Sequence, residues 1–284
     1  TSLTIQAEDW PMHRGGPQLQ GVGKGTVPAK PDLRWTYKAG KPVRAGAAIA
    51  GGRVFFGDDA GVIHAISLAD AKEQWTFKTE GAIEATPLVL DGLVYTGSSD
   101  GKLYALDAAS GEKKWEYTTE DKILGGANYV KAATGDGWWV VVGSYDFFLH
   151  CLEAKSGKLV WKAETENYIN GTPAVTPNGE VVFGGCDAIL HVVSLKDGKP
   201  VRKMDAEAYI SGSAAIDGTM VYFGNYSNQV FAFDISTGTL LWKYRQRNFP
   251  YFSSPALTQK VVVNGGRDKR VYRIERGKGE GKRN

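Results

Sequence analysis

The sequence predicts an all-β chain folded as a β-propeller of six four-stranded antiparallel blades, and three observations carry that expectation. Tryptophan recurs at a nearly fixed interval: Trp35, Trp75, Trp115, Trp161 and Trp242 are separated by 40, 40, 46 and 81 residues, the last being two periods. The position that completes the series, 41 residues after Trp161 and 40 before Trp242, is Arg202. The segments leading to these positions share one form, as in AISLADAKEQW (65–75), ALDAASGEKKW (105–115), CLEAKSGKLVW (151–161), VVSLKDGKPVR (192–202) and AFDISTGTLLW (232–242). A strand ends in Asp, Glu or Ser, a small polar turn follows, and a second strand opens on the tryptophan. Upstream lies another strand pair, clearest as ATPLVL, Asp91-Gly92, LVYTG, SSDG and KLYALD. Its β-branched and aromatic runs suit half-buried strands, and four short strands in about forty residues make a propeller blade.

Taken in order, residues 1–32 form a leader expected to pack on the propeller, and residues 33–284 form one propeller domain. LRWTYKAG (33–40) reads as a fourth strand without its first three. The second strands RVFFG, LVYTG, WVVVG, EVVFG, MVYFG and VVVNG then mark six blades. The sixth supplies SPALT, KVVVNG and RVYRIE before GKGEGKRN, where Arg283 aligns with the tryptophan position. Pairing 33–39 with 270–276 would therefore close the ring and remove two exposed edges. The alternative is a fragment of a seven- or eight-bladed propeller. At the fourth tryptophan position, Arg202 marks either the weakest seam or a blade with an added function.

Composition narrows the function. The 36 glycines and 32 aromatic residues fit many strands and tight turns, and a net charge of +3 is too small to point to nucleic acid. The basic tail (Arg267, Lys269, Arg270, Arg273, Arg276, Lys278, Lys282, Arg283) reads as a solvated edge. It could otherwise meet an acidic partner or anionic surface. No apolar run of about eighteen residues predicts a transmembrane helix. The chain opens at Thr1 without an apolar leader, so a signal peptide is expected to have been removed or left out. Cys151 and Cys186 make no disulfide framework or CxxC motif.

The motif A-x-D-x-x-[ST]-G-x-x-x-W, matched fully at 105–115 and 232–242, resembles the tryptophan-docking repeat of PQQ-like, quinoprotein-type propellers. The leader EDWPMHRGGPQLQGV (8–22) is similar to the entry segment of bacterial members. These include the outer-membrane assembly scaffold BamB. The resemblance covers about residues 33–276 and implies a periplasmic, cell-envelope or secreted protein. It specifies fold more strongly than activity. The quinone dehydrogenases of this family have eight blades and stack their cofactor on a disulfide of adjacent cysteines, which this sequence lacks. We therefore expect a non-catalytic binding or scaffolding protein without cofactor or metal, recognising a protein or glycan. The alternatives are a quinone-dependent oxidoreductase or its degenerate relative, and a carbohydrate-binding propeller.

Two recurring residue sets read as structural. His64, His150 and His191 share one slot with Tyr104, Phe231 and Tyr272, which is a packing position for a flat ring rather than a zinc site. Asp100, Asp146, Asp187 and Asp268 recur at the turn between second and third strands, where Asp bonds nearby N–H groups. Of Trp138 and Trp139, at least one should be core. The variable position just before each innermost strand reads instead as a ring at the funnel: Arg44, Glu84, Gly125, Asn170, Ser211 and Phe252. Tyr168, Tyr209 and Tyr251 lie beside it as candidate recognition surfaces, and Arg44 is expected to pair with Glu84.

Overall fold

The structure, a computed structural model, describes residues 9–133 and 135–283. The described residues hold six four-stranded sheets, each with its strands in sequence order and antiparallel to their neighbours. Blade one comprises Ala48–Ala50, Arg53–Gly57, Val62–Ser67 and Glu73–Lys78; blades two to six span 88–118, 128–164, 174–205, 215–244 and 256–283. The one helical element among these residues is a 3-10 turn, His13–Gly15.

The repeat is built around how blades meet. A bulge in the hairpin between third and fourth strands sets Trp75 opposite Ala65, Trp115 opposite Ala105, Trp161 opposite Cys151 and Trp242 opposite Ala232. Each indole N–H then donates to a carbonyl in the corresponding turn of the next blade: Trp75 to Ala108 (3.1 Å), Trp115 to Ala154 (3.0 Å), Trp161 to Leu195 (2.8 Å) and Trp242 to Arg276 (2.7 Å). That turn carries a glycine in the left-handed region, such as Gly111 at φ 76° and Gly157 at φ 71°. The indole lies flat on it, so a Cβ at Gly111 would come within 2.7 Å of the Trp75 ring. One residue thus joins two sheets by a polar tip and an apolar face. By area such a face contributes up to ~4–6 kcal/mol.

At the fourth position Arg202 lays its stem over Gly238, 3.6 Å from where a Cβ would stand. A surface cavity of about 190 Å³, bordered by Glu180, Arg202 and Ile235, opens where an indole would have been. Of the tryptophan pair, Trp139 is core, and Trp138 is half-buried against Tyr129.

Ring closure departs from the expectation. The fourth strand of blade six is Gly281–Arg283, paired with Arg270–Glu275, so residues 33–39 do not pair with 270–276. The hairpin that wins is local: Gly279 N–H and Glu275 N–H bond across 275–280 as Gly111 and Asp107 do in blade two. It lacks the bulge of the other blades, so Lys282, not Arg283, falls opposite Arg273 at the tryptophan register. Residues 33–39 lie instead on the far face of blade one. There Trp35, Tyr37 and Ala39 pack on Val54, Phe56 and Ile66, and Trp35 donates to the Leu68 carbonyl at 3.0 Å. The corresponding face of blade six is open. Val271 is 51% exposed, where Ile63, Leu103, Leu149, Leu190 and Val230 are each fully buried.

The leader crosses the central channel. Innermost strands present free N–H groups towards the axis, and the leader supplies acceptors to five blades by backbone. Trp10 pairs with Ile49, while Val89, Val175, Ile216 and Leu257 donate to Pro11, Pro17, Gln18 and Gln20 at 2.7–2.9 Å. Blade three uses the Asn128 side chain, which donates to the Pro17 carbonyl at 2.8 Å. Met12 and Leu19 are buried in the core cluster that runs through blades two to five.

Candidate functional site

The funnel is shaped by the chain entering each innermost strand. Gly57, Gly97, Gly143 and Gly184 end the second strands, and a Cβ on any of them would overlap Ile83, Ile123, Ile169 or Ile210 of the next blade. Those isoleucines are buried, and the residue after each turns to the funnel. Glu84, Leu124, Asn170 and Ser211 thereby converge, together with Arg44 after the exposed Val43, on a pocket of about 400 Å³ at the channel mouth. The blade-three member is Leu124, not Gly125: Gly126, two residues after Leu124, meets Thr172 of the next blade as Gly46 meets Thr86.

Below this ring, hydroxyls stitch blade to blade. Gly46 N–H donates to Thr86 Oγ1 (3.2 Å), Thr172 N–H to Ser213 Oγ (2.8 Å) and Ser213 N–H to Ser254 Oγ (2.9 Å). The series ends on the leader. His13 Nε2 lies 3.3 Å from Ser254 Oγ, and Arg14 donates to the Ser254 carbonyl at 2.8 Å. Burial, then the neighbouring Arg14, pushes the His13 pKa down to about 4.

The tyrosines divide. Tyr209 borders the pocket and is 51% exposed, with Tyr226 edge-on at 6.3 Å. Tyr168, 39% exposed, stacks on Tyr145 at 4.6 Å and 18°. Phe252 packs on Tyr226 at 4.7 Å, beside the pocket. Tyr251 is not a recognition residue. It fills the isoleucine slot of blade six, is 1% exposed, and packs edge-on to Tyr272. Arg44 also departs from expectation: its Nε bonds Asp59 at 3.0 Å instead of Glu84.

A second ring escaped the sequence reading. Tyr145, Cys186 and Tyr226 reach the same pocket from turns between second and third strands. Across the blades their position holds Asp59, Ser99, Tyr145, Cys186, Tyr226 and Arg267, variable two residues after a glycine that every blade keeps and before an aspartate that four keep. Tyr145 Oη donates to Asn170 Oδ1 at 2.5 Å, and Asn170 Nδ2 points at Cys186 Sγ, 3.0 Å away. Burial raises the Tyr145 pKa, so the phenol stays a donor.

The recurrent histidines and aspartates act together behind the funnel. His64, His150 and His191 approach Asp58, Asp146 and Asp187 at 3.2, 3.0 and 2.6 Å. Tyr104 and Tyr272 donate to Asp100 and Asp268 at 2.7 and 2.5 Å. Where the ring is Phe231, the turn carries Asn225. Burial alone would raise the Asp146 and Asp187 carboxyls. Hydrogen bonds from His150, His191 and backbone N–H groups hold both below the usual carboxylate range. Among the described residues no group of three or more His, Cys, Asp or Glu side chains could hold a metal ion, and no helix is long and apolar enough to cross a membrane.

A family model described as outer membrane protein assembly factor BamB matches residues 25–133 and 186–282. A model of the λ-carrageenase β-propeller domain matches a shorter stretch, 91–180. No curated protein matches. Among solved structures, BamB from Moraxella catarrhalis superposes with a TM-score of 0.72 at 20% identity, covering 85% of this chain and 75% of that one. The computationally designed Ika8 protein superposes at 0.70 with 18% identity, covering 84% of this chain and 73% of its own. At such identities the structural likeness concerns the fold.

Proposed function

This chain belongs to the family of outer membrane protein assembly factor BamB, matched over 25–133 and 186–282, and from that premise we propose that it is a non-catalytic scaffolding protein of the bacterial cell envelope that holds a partner at its funnel. The observation that carries this reading is the convergence of two variable rings, in an otherwise uniform repeat, on one pocket of about 400 Å³. Residues that only hold blades together repeat from blade to blade, as the tryptophans and turn aspartates do. Positions released from that demand line the pocket.

The lining suits recognition. Tyr209 and Tyr226 offer rigid, half-exposed aromatic surface, and Asn170 and Ser211 offer directional polar groups. A glycan is the second reading, favoured by the open ring faces beside these polar groups. Quinone chemistry is disfavoured because Cys151 lies in the core of blade three and Cys186 at the pocket, at different repeat positions.

The test separates stability from binding. Arg44→Glu, Glu84→Lys, Tyr168→Ala and Tyr209→Ala should melt within a few degrees of the parent, since exposed ion pairs contribute only ~0–1 kcal/mol. They should lose capture of the parent's partners from an envelope extract, with aromatic truncations weakening binding by ~2 kcal/mol or more. Four variants that melt normally and capture the same partners would move the binding surface elsewhere. A thermal shift on adding PQQ and calcium would restore the oxidoreductase reading.

A further inference from the structure

The funnel rim is not uniform in charge. The connections from fourth strand to the next buried isoleucine are TEGA (79–82), TEDK (119–122), TENY (165–168) and AEAY (206–209), each four residues long and each of net charge −1. The connection leading to Tyr251, which fills that slot in blade six, is RQRNFP (245–250), two residues longer and of net charge +2. The turn beside it, GRDK (266–269), is net positive, whereas DDAG, SSDG, SYDF and GCDA are net negative and NYSN (225–228) is neutral. The rim is thus acidic at the connections into blades two to five and basic at blade six, with Lys41 and Arg44 continuing the positive charge at the entry to blade one.

Local structure presents that sector outward. Arg245, Arg247, Arg267 and Lys269 are exposed. Arg245 bonds the Asn248 side chain at 3.1 Å, and Arg267 lies over the Phe252 ring at 5.0 Å. Arg267 N–H bonds the Pro250 carbonyl at 3.1 Å, tying the longer connection to the turn. Phe249, at the tip, is 45% exposed. Arg247 meets its nearest carboxylate, Asp268, only at 4.0 Å.

We propose that this basic, aromatic sector is the docking surface for an acidic, extended segment of a partner protein, with an apolar side chain of that segment seated against Phe249. The inference rests on reading the funnel as the binding face and adds the partner's chemistry. The carboxylates of blades two to five argue for a narrow segment over a membrane. A flat anionic surface approaching the rim would also meet Glu80, Glu120, Glu166 and Glu207, whereas a single strand can touch the basic sector alone.

The experiment uses fluorescence anisotropy with the full chain. Its probes are a labelled twelve-residue peptide rich in Asp and Glu with one central Phe, its Lys-rich counterpart, and vesicles containing anionic phospholipid. The acidic peptide should bind more tightly than the basic one and weaken with added salt. It should lose at least about tenfold in affinity in the double variant Arg245→Glu/Arg247→Glu, at unchanged melting temperature. Phe249→Ala should weaken it without changing the salt dependence. Equal binding of both peptides, retention of affinity in the double variant, or binding of vesicles but not peptide would each overturn the proposal. If the acidic peptide fails while Tyr209→Ala still abolishes partner capture, this inference falls and the funnel reading stands. Loss of both would remove the two together.

Discussion

At the scale of single residues, the fold holds one histidine neutral and one alanine in left-handed backbone. His13 sits where the leader meets Ser254, neutral above about pH 4. An unfolded histidine titrates near ~6.5, so between these values the unfolded chain binds the extra proton and the folded one does not. Stability is therefore full above ~6.5, falls as pH drops towards 4, and is level below it. At pH 5.5 the loss relative to pH 7 should be about 1 kcal/mol, before carboxylates contribute. Denaturant midpoints at the two pH values should diverge for the parent and much less for His13→Gln; equal divergence would acquit His13. Ala71 is the second position. It occupies the turn slot that glycine fills elsewhere, at φ 56°, beneath the Trp35 segment. Left-handed backbone costs an alanine about 1–2 kcal/mol, partly offset by the flexibility glycine adds to the unfolded chain. Ala71→Gly should thus raise stability by about 0.5–1 kcal/mol, and a fall would show that the alanine methyl contributes packing there.

At the scale of elements, the seam is the unit that decides stability. Trp161 and Trp242 each fill a gap and satisfy a carbonyl, while Arg202 leaves a cavity of about 190 Å³ between blades four and five. Arg202→Trp should fill it, lie on Gly238 and reach the Ile235 carbonyl, stabilising by about 1–2 kcal/mol. Thermal melting checks this, and a destabilised variant would mean the pocket cannot admit an indole. This seam was visible in the sequence because tryptophan is periodic and its absence stands out. The leader was less visible. Its role lies in backbone carbonyls meeting N–H groups about 40 to 240 residues away, and the Ile216 and Leu257 N–H groups they accept from leave no mark in side-chain identity. The second funnel ring was legible in the sequence, since Tyr145, Cys186 and Tyr226 vary at a fixed offset from the glycines that end the second strands, Gly143, Gly184 and Gly224.

At the scale of the whole molecule, six blades were readable from one repeat, but the closure was not. LRWTYKAG and the strand Gly281–Arg283 both offer a fourth strand to blade six, and pattern alone does not choose between them. Chain entropy does, because a hairpin closing a turn of a few residues forms at far less cost than a pairing more than two hundred residues apart. The consequence is an uneven molecule. Blades one to five bury both faces, while Val271 and Arg273 of blade six face solvent and the slot matched by Ala65, Ala105 and Ala232 holds that arginine. Stability in stacked repeats is roughly a sum of each unit and its two interfaces, so a blade with one open face should open first. Hydrogen exchange gives the measurement. Amides of 261–266 and 270–275 should exchange at least about tenfold faster than those of 180–184 and 189–194 in blade four, matched for intrinsic rate. Making the open face more apolar by Arg273→Val should narrow this little, because the missing contribution is a neighbouring sheet and not a side chain. Uniform protection across all six blades would mean that the ring opens as one cooperative unit. The leader, bonded to every blade, would then be the element that couples them.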